Sequence, residues 1–387
     1  MRIGINALFL QKPATGSGQH LFHLLEGLDA HDKENAYVLL SPRFRRAYAV
    51  TWPHLSDRFR NVEVVSALAQ LGENVEKTWW EQIGVLKSGK AENVDLLHCP
   101  YWASPLVTMF PTVVTIHDVI PLILKEYAWR KLTIAYNALV SLSAKRAQAI
   151  IAVSQCSKRD IEQTLHIPSE RIHVIGNAVD ASFRPITDSW LLSSVRERYN
   201  IGEHYVLYFG GFDLRKNVPR LIRAYAQLPA SLRDRYQLVV AGRLHHLGNH
   251  PLYPDPRPLV RELGLDERVI FTGQIREQDK APLYSGATAF TFPSLYEGFG
   301  MPVLEAMACG TPVLTSNISA LPEVVGEAGL LVDPTSTDAI TASLGRMLED
   351  EPFRRELAQH ARERSRIFNW QQVAQQTLEV YRQVRAA

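Results

Sequence analysis

Cysteine is scarce in this sequence: Cys99, Cys156 and Cys309 are odd in number and far apart. That argues against a disulfide framework and a cysteine-built metal knot, and it fits a reducing, cytoplasmic setting. Long apolar runs are also missing. No stretch reaches the length of a membrane span, and the apolar start MRIGINALFL runs into QKPATGSG instead of a small-residue cleavage site, so it reads as a first strand. There is no dominant charge either, since 42 Lys and Arg offset 40 Asp and Glu for a net +2. Without a whole-molecule field, nucleic acid is not an expected partner. Short-period repeats and low-complexity segments are absent too.

What the sequence does contain is enough apolar material for large cores: 387 residues, 46% hydrophobic and 21% charged. That length exceeds what one core usually supports, so two domains are expected. Short β-branched runs separated by helical stretches fill the first half: RIGINALF, YVLL, VEVV, VDLLH, TVVTIHD, AIIAVS and RIHVIG. The pattern breaks around FRPITDSW and resumes with HYVLYFGG, YQLVVAG, RVIFTG, TAFTFP, TPVLTS and AGLLVD. Continuous apolar strands alternating with helices predict parallel sheets covered on both faces. The expected architecture is α/β, with two Rossmann-like domains at 1–183 and 184–366 facing a central cleft. A C-terminal helix at 367–387 is expected to pack back on the first domain.

Several residues stand where such folds place ligands, beyond the carboxyl ends of the strands. Gly16, Ser17 and Gly18 open a helix with Leu21, Leu24, Leu25 and Leu28 on one stripe, a candidate anion site at a helix N-terminus. Leu21 occupies the third-glycine position of the dinucleotide fingerprint, which weakens a nicotinamide or flavin reading. In YFGGFDLRKNVPRL a strand runs into Gly210 and Gly211 and delivers Arg215 and Lys216 just before a helix. Two cations beside backbone donors suit a diphosphate. His117 and Asp118 end a buried strand, with His117 a candidate sugar contact and Asp118 a candidate to orient its ring.

The most informative stretch is FPSLYEGFGMPVLEAMACGTPVLTS, with Glu297 and Glu305 on either side of seven residues. Pro302 suits a first helical turn and Gly310 a helix stop, so Gly298, Phe299 and Gly300 form the entering loop. Glu305 is then expected in the first helical turn, accepting from vicinal ribose hydroxyls, while Glu297 meets a sugar hydroxyl or a developing positive charge. A carboxylate pair also suits a glycosidase. Arg43, Arg45, Arg46, Arg58 and Arg60, interleaved with Phe44, Tyr48, Trp52 and Phe59, form either a surface for anionic lipid headgroups or an ordinary exposed face. His245, His246 and His250 lie in a Pro-rich loop with no evident fourth metal ligand.

Together GSG, the strand-end His117, AVSQCSKRDI, GGFDLRKN and above all EGFGMPVLEAMACGTPVLTS resemble the retaining nucleotide-sugar glycosyltransferases called group 1 or family 4, which have the GT-B fold. The resemblance spans nearly the whole chain. It implies that Arg215 and Lys216 hold the diphosphate and that Glu305 binds the ribose. It further implies that Glu297 and the amides of Phe299, Gly300 and Met301, with Pro302, Val303 and Leu304 following, contact the donor. His117 would contact the sugar from the opposite domain, the Gly16–Gly18 loop would adjoin the phosphates, and the base would rest near Gln274 and Ile275. Many members carry an arginine where this chain has Gly211, so Arg215 is the candidate to supply that charge, and IGNAVD departs from the usual Pro-Asn-Gly at Asn177.

The implied activity is metal-independent transfer from a nucleotide diphosphate sugar, a co-substrate with no further cofactor, to a glycan, lipid-linked or small-molecule acceptor. No Asp-x-Asp metal-ligand triplet occurs. The expected setting is polysaccharide assembly in the cytoplasm or at the inner face of the membrane. Alternative readings are a GT-B-type sugar-nucleotide epimerase and a catalytically silent nucleotide-sugar-binding subunit.

Overall fold

The computed structural model describes residues 1–13, 15–43, 52–66, 68, 72–127, 131–244 and 251–386. Among these the chain forms two compact units, Met1–Asn177 with Asn369–Ala387, and Ala178–Phe368. The change-over falls at 177/178 instead of 183/184. Its cause is local: Phe183 packs edge-on against Tyr284, and the amide of Ile186 donates to Ser285 Oγ at 3.0 Å, so this segment already belongs to the second unit.

The first unit holds seven strands: β1 (Arg2–Asn6), β2 (Ala36–Arg43), β3 (Phe59–Val65), β4 (Leu96–Cys99), β5 (Thr112–Ile116), β6 (Ala149–Ala152) and β7 (Ile172–Val174). They lie in the order β3-β2-β1-β4-β5-β6-β7, all parallel. The order reverses between β1 and β4, and that switch point is where open parallel sheets bind ligands. Apolar side chains on both faces explain the continuous hydrophobic strands, since β4, β5 and β6 are buried along their whole length.

After β1 the helix Gly16–His31 buries Leu21, Leu24, Leu25 and Leu28. The C-terminal helix Trp370–Ala386 returns to pack on it, and a Cβ on Gly27 would stand 3.0 Å from the carbonyl of Trp370. Tyr381 of that helix is fully buried, and its hydroxyl lies 2.6 Å from His98 Nδ1 while His98 Nε2 lies 2.9 Å from Thr115 Oγ1. Burial pushes the His98 imidazole down to about 3, so the ring is neutral and joins helix to sheet as a hydrogen-bonding spacer.

The second unit has six strands: β8 (Tyr205–Phe209), β9 (Gln237–Ala241), β10 (Val269–Gly273), β11 (Ala289–Phe292), β12 (Val313–Ser316) and β13 (Leu330–Val332). Their order is β10-β9-β8-β11-β12-β13, again all parallel, with the switch between β8 and β11. Tyr208, Phe290 and Phe292 stack in its core.

Of the basic aromatic run, Phe44, Arg45, Arg46 and Tyr48 lie outside the described residues, as do His245, His246 and His250. Arg58 pairs with Asp29 at 2.7 Å and Arg60 with Glu92 at 3.3 Å, so both charges are engaged within the first unit. Among the described residues, no helix is long and apolar enough to cross a membrane.

Candidate active site

The strands on either side of the second switch point, β8 and β11, deliver an ionic cluster. Past β8 the chain makes a short 3-10 turn, Leu214–Lys216, that ends at Asn217 with φ 60°. Asparagine tolerates this left-handed conformation better than most residues. Its Nδ2 donates to the carbonyls of Pro293 at 3.0 Å and Pro334 at 2.7 Å. Past β11, Leu295 donates its amide to the Arg215 carbonyl at 2.6 Å. These bonds stitch the cation turn to the loop carrying Glu297. Asn217→Ala strands the buried Pro293 carbonyl, leaves the Pro334 carbonyl only its 3.0 Å bond from Arg220 Nη1, and keeps a strained φ, so it is expected to cost about 2–3 kcal/mol in urea unfolding. A loss below about 1 kcal/mol would contradict this role.

Glu297 is the hub. Its Oε1 accepts from Lys216 Nζ at 2.6 Å and from Ser294 Oγ at 2.7 Å, while Oε2 faces Arg215 Nη1 at 2.9 Å. Arg215 also meets Asp213 at 3.0 Å and the Tyr296 carbonyl at 2.9 Å. Lys216 and Glu297 are both buried, and the ammonium lies 4.8 Å from the centre of the Phe292 ring. Burial raises the Glu297 carboxyl, but the adjacent Lys216 and Arg215 charges outweigh it and hold the group below the usual carboxylate range. Burial lowers the Lys216 ammonium against the pull of Glu297. The two cations and the carboxylates of Glu297 and Asp213 sum to zero charge, which a diphosphate entering would overturn.

The loop Gly298–Gly300 leads into the helix Met301–Ala308, with Pro302 in its first turn and Gly310 at φ 74° after its end. Gly300 has φ 114°, and a Cβ there would stand 2.7 Å from Leu321 Cδ2. Val303 and Leu304 bury their side chains completely and donate their amides to the Gly300 carbonyl. Ser319, at φ 63°, accepts the Glu297 amide at 2.7 Å and fixes the loop from the other side.

Glu305 corrects one expectation: it lies in the second turn of this helix and not in the first, because the helix begins at Met301. Its role is therefore not complementing the helix N-terminus. Tyr284 Oη donates to Glu305 Oε2 at 2.8 Å. Burial, helped by the Glu277 charge, pushes this carboxyl up to about 7 against the opposing effects of Lys280 and Tyr284. Gln274 is exposed and Ile275 buried, between β10 and the helix Glu277–Ser285. Gly211 is exposed, with Asp213 Oδ2 3.4 Å from where its Cβ would stand, and its carbonyl accepts from Tyr208 Oη at 2.5 Å.

In the first unit His117 follows β5 directly. Its Nε2 lies 3.2 Å from the Pro100 carbonyl, which must accept, so Nε2 carries the proton and Nδ1 presents a lone pair. Burial pushes the imidazole down to about 4, leaving it neutral. Asp118 accepts the amide of Ile120 at 3.1 Å, while the ring of His20 meets that of His117 edge-on at 4.8 Å. His20 in turn holds Asn177 Oδ1 at 2.8 Å. In the glycine loop, Gly18 has a packing reason, since a Cβ would stand 2.3 Å from the Lys12 carbonyl, and its amide already donates to Thr15 Oγ1 at 3.2 Å. Gly16 and Ser17 lie at the more open end of that turn.

Sequence reasoning did not single out Ser294, Ser319, Tyr284, His20 or Asp213. Asp213 and Ser294 stood inside the quoted motifs, but nothing in the spacing marks Tyr284 or Ser319, which come together with the glutamates only in the fold.

Two family models match: glycosyl transferases group 1 over residues 194–364 and glycosyltransferase family 4 over residues 14–183. The serotype-specific mannosyltransferase WbdA of Escherichia coli is 36% identical over 68% of this chain and 32% of its own length. The chain thus spans about a third of that relative. The O-antigen chain mannosyltransferase B of Escherichia coli is 32% identical over 70% of each chain. Among solved structures, a sucrose-phosphate synthase from Thermosynechococcus elongatus superposes with a TM-score of 0.77 at 25% identity, covering 100% of this chain and 99% of that one.

Proposed function

The chain belongs to the group 1 glycosyltransferases, and from that premise we propose that it transfers a sugar from a nucleoside diphosphate sugar to a hydroxyl of a glycan or lipid-linked acceptor. Transfer proceeds with retention of configuration and without a metal ion. The observation that carries this reading is the cluster of buried Lys216 and Glu297 with half-buried Arg215 at the β8/β11 switch point, two cations beside the loop and helix start at 298–301. The names of the relatives support mannose as the transferred sugar.

In the proposed step the bond between the anomeric carbon and the diphosphate oxygen breaks, and its electron pair stays on that oxygen. The acceptor oxygen attacks the same face of the sugar, and its proton passes to the departing phosphate. Lys216, Arg215 and the amides of Phe299, Gly300 and Met301 stabilise the charge that builds there, where low dielectric makes each donor worth more than in water. The diphosphate takes over Lys216 from Glu297, which turns to the sugar hydroxyls. A thermal-shift panel of nucleotide sugars, GDP-mannose and UDP-glucose among them, tests the reading: a true donor raises the melting temperature by mass action, and no response to any of them would refute it.

Glu305 gives this binding a pH dependence of definite sign. A ribose diol donates two hydrogen bonds, which the ionised carboxylate accepts with charge assistance, whereas the protonated acid accepts only weakly at its carbonyl oxygen and turns its other oxygen into a competing donor. With the carboxyl near 7, nucleotide-sugar affinity is expected to be about tenfold weaker at pH 6 than at pH 8, since one unit below its pKa only about a tenth of a group is ionised. The diphosphate of a nucleotide sugar does not titrate in that range. Calorimetric titration at both pH values checks this. In Glu305→Gln the affinity is lower and flat with pH, and an unchanged pH slope in that variant would remove Glu305 from the ribose site.

A further inference from the structure

The first unit carries a cavity of about 650 Å³ that the transfer chemistry above does not use. It opens among the helix Glu73–Trp79, a π-helical turn Trp80–Gly84 and the helix Lys131–Arg146. Leu68, Val75, Trp79, Ile83 and Leu132 form apolar walls. Val75, Ile83 and Leu132 are 45%, 43% and 84% exposed, an apolar surface whose exposure an apolar occupant would relieve.

One end of the cavity is polar and firmly built. Lys77 Nζ donates to Tyr136 Oη at 2.9 Å and lies 3.4 Å from the fully buried Glu81, to which Tyr136 donates at 3.0 Å. The π turn has a local cause. Trp80 is fully buried, and a Cβ on Gly84 would stand 2.6 Å from its ring. Trp80 Nε1 donates to Asn6 Oδ1 at 3.0 Å, and Asn6 donates to Tyr101 Oη at 2.9 Å. Asn6 ends β1 and Tyr101 follows β4, so the cavity wall is tied to the β1/β4 switch point of this sheet.

We propose that this cavity binds the aliphatic chain of the acceptor, so that the molecule receiving the sugar is an amphiphile with its hydrocarbon between the helices and its oxygen-bearing head at the Lys77 end. The volume falls within the about 300–1,000 Å³ of small-molecule sites. Asn74, Thr78, Gln82 and Thr133 also line it, but Thr78 is bonded to the Asn74 carbonyl and Gln82 to the backbone of Ser104 and Leu106, so the exposed wall area is mostly apolar and suits a hydrocarbon better than a bare sugar. That this occupant is the acceptor rests on the transfer reading above, whereas chain binding itself does not.

The full chain is titrated calorimetrically with methyl, octyl and decyl maltoside, each below its micelle concentration. Methyl maltoside is expected not to bind, and affinity is expected to rise about tenfold from octyl to decyl as two further methylenes are buried. The double variant Ile83→Asp/Leu132→Asp alters exposed side chains, so its melting temperature and nucleotide-sugar affinity stay unchanged while decyl maltoside binding is lost. Affinity independent of chain length, binding only above the micelle concentration, or equal binding by the variant would overturn the proposal. Its acceptor part is overturned separately if the enzyme transfers sugar to methyl and octyl mannosides with the same KM. Loss of nucleotide-sugar binding in the unmodified chain would instead sink the transfer reading and leave the chain titration standing.

Discussion

Replacing Lys216 by methionine is expected to lower sugar transfer by about a thousandfold, and Glu297→Gln by about a hundredfold or more, the range seen when a preorganised charge-stabilising group is removed. A thousandfold corresponds to about 4 kcal/mol of transition-state stabilisation. These figures suit a buried ammonium 2.6 Å from a buried carboxylate, a pair whose attraction water barely screens. Either single change also leaves a buried charge short of a partner, which alone costs about 3–5 kcal/mol of stability. Activity loss and unfolding must therefore be separated. The double variant Lys216→Met/Glu297→Gln does this, because it removes both charges and keeps the volumes. It is expected to recover most of the melting temperature lost by the single variants, while transfer measured by initial rates stays down. Recovery of transfer in the double variant would mean that the pair is structural.

Gly242→Ala is expected to destabilise the second unit by more than about 4 kcal/mol, into the range that marks a specific backbone clash. Gly242 follows β9 with φ 143°, and a Cβ there would stand 2.0 Å from the Gly210 carbonyl oxygen and 3.1 Å from its carbon. Both obstacles are backbone, so no side-chain rotation relieves them. The amide of Gly210 donates to Ala241 at 3.0 Å and that of Gly242 to Gly273 at 3.1 Å, which ties the clash to the ends of three adjacent strands beside the cation turn. Urea unfolding checks the value. Gly16→Ala is the control: nothing lies within 4 Å of its Cβ position, and a helical alanine is expected to be neutral or slightly stabilising. A Gly242→Ala chain as stable as Gly16→Ala would contradict the account of that corner.

The strands were legible because parallel strands covered on both faces are apolar without interruption. YVLYF and AFTF are buried at nearly every position and can be read without knowing their neighbours. Pro302 and Gly310 marked the helix that follows Glu297 and carries Glu305 correctly, but its start at Met301 places Glu305 just past the first turn, where the spacing had put it inside that turn. The remainder was hidden for a physical reason: it consists of contacts between residues distant in sequence. Tyr284 reaches Glu305 across two helices, Ser319 reaches Glu297 from beyond β12, and Asn217 clamps Pro293 and Pro334. The π turn at Trp80–Gly84 escaped notice as well, since the local fit of Gly84 against the Trp80 ring is completed by a bond from Trp80 Nε1 to Asn6 at the end of β1. Gly18, read as an anion loop residue, also packs against the Lys12 carbonyl, a contact that only the fold brings out.

A crystal structure of the chain with a nucleotide sugar bound measures the central assignment directly. The diphosphate is expected within about 3 Å of Lys216 Nζ, the length of a charge-assisted hydrogen bond, with Glu297 turned from that ammonium toward the sugar and the ribose hydroxyls on Glu305. A nucleotide lodged elsewhere, with the Lys216–Glu297 pair undisturbed, would contradict it.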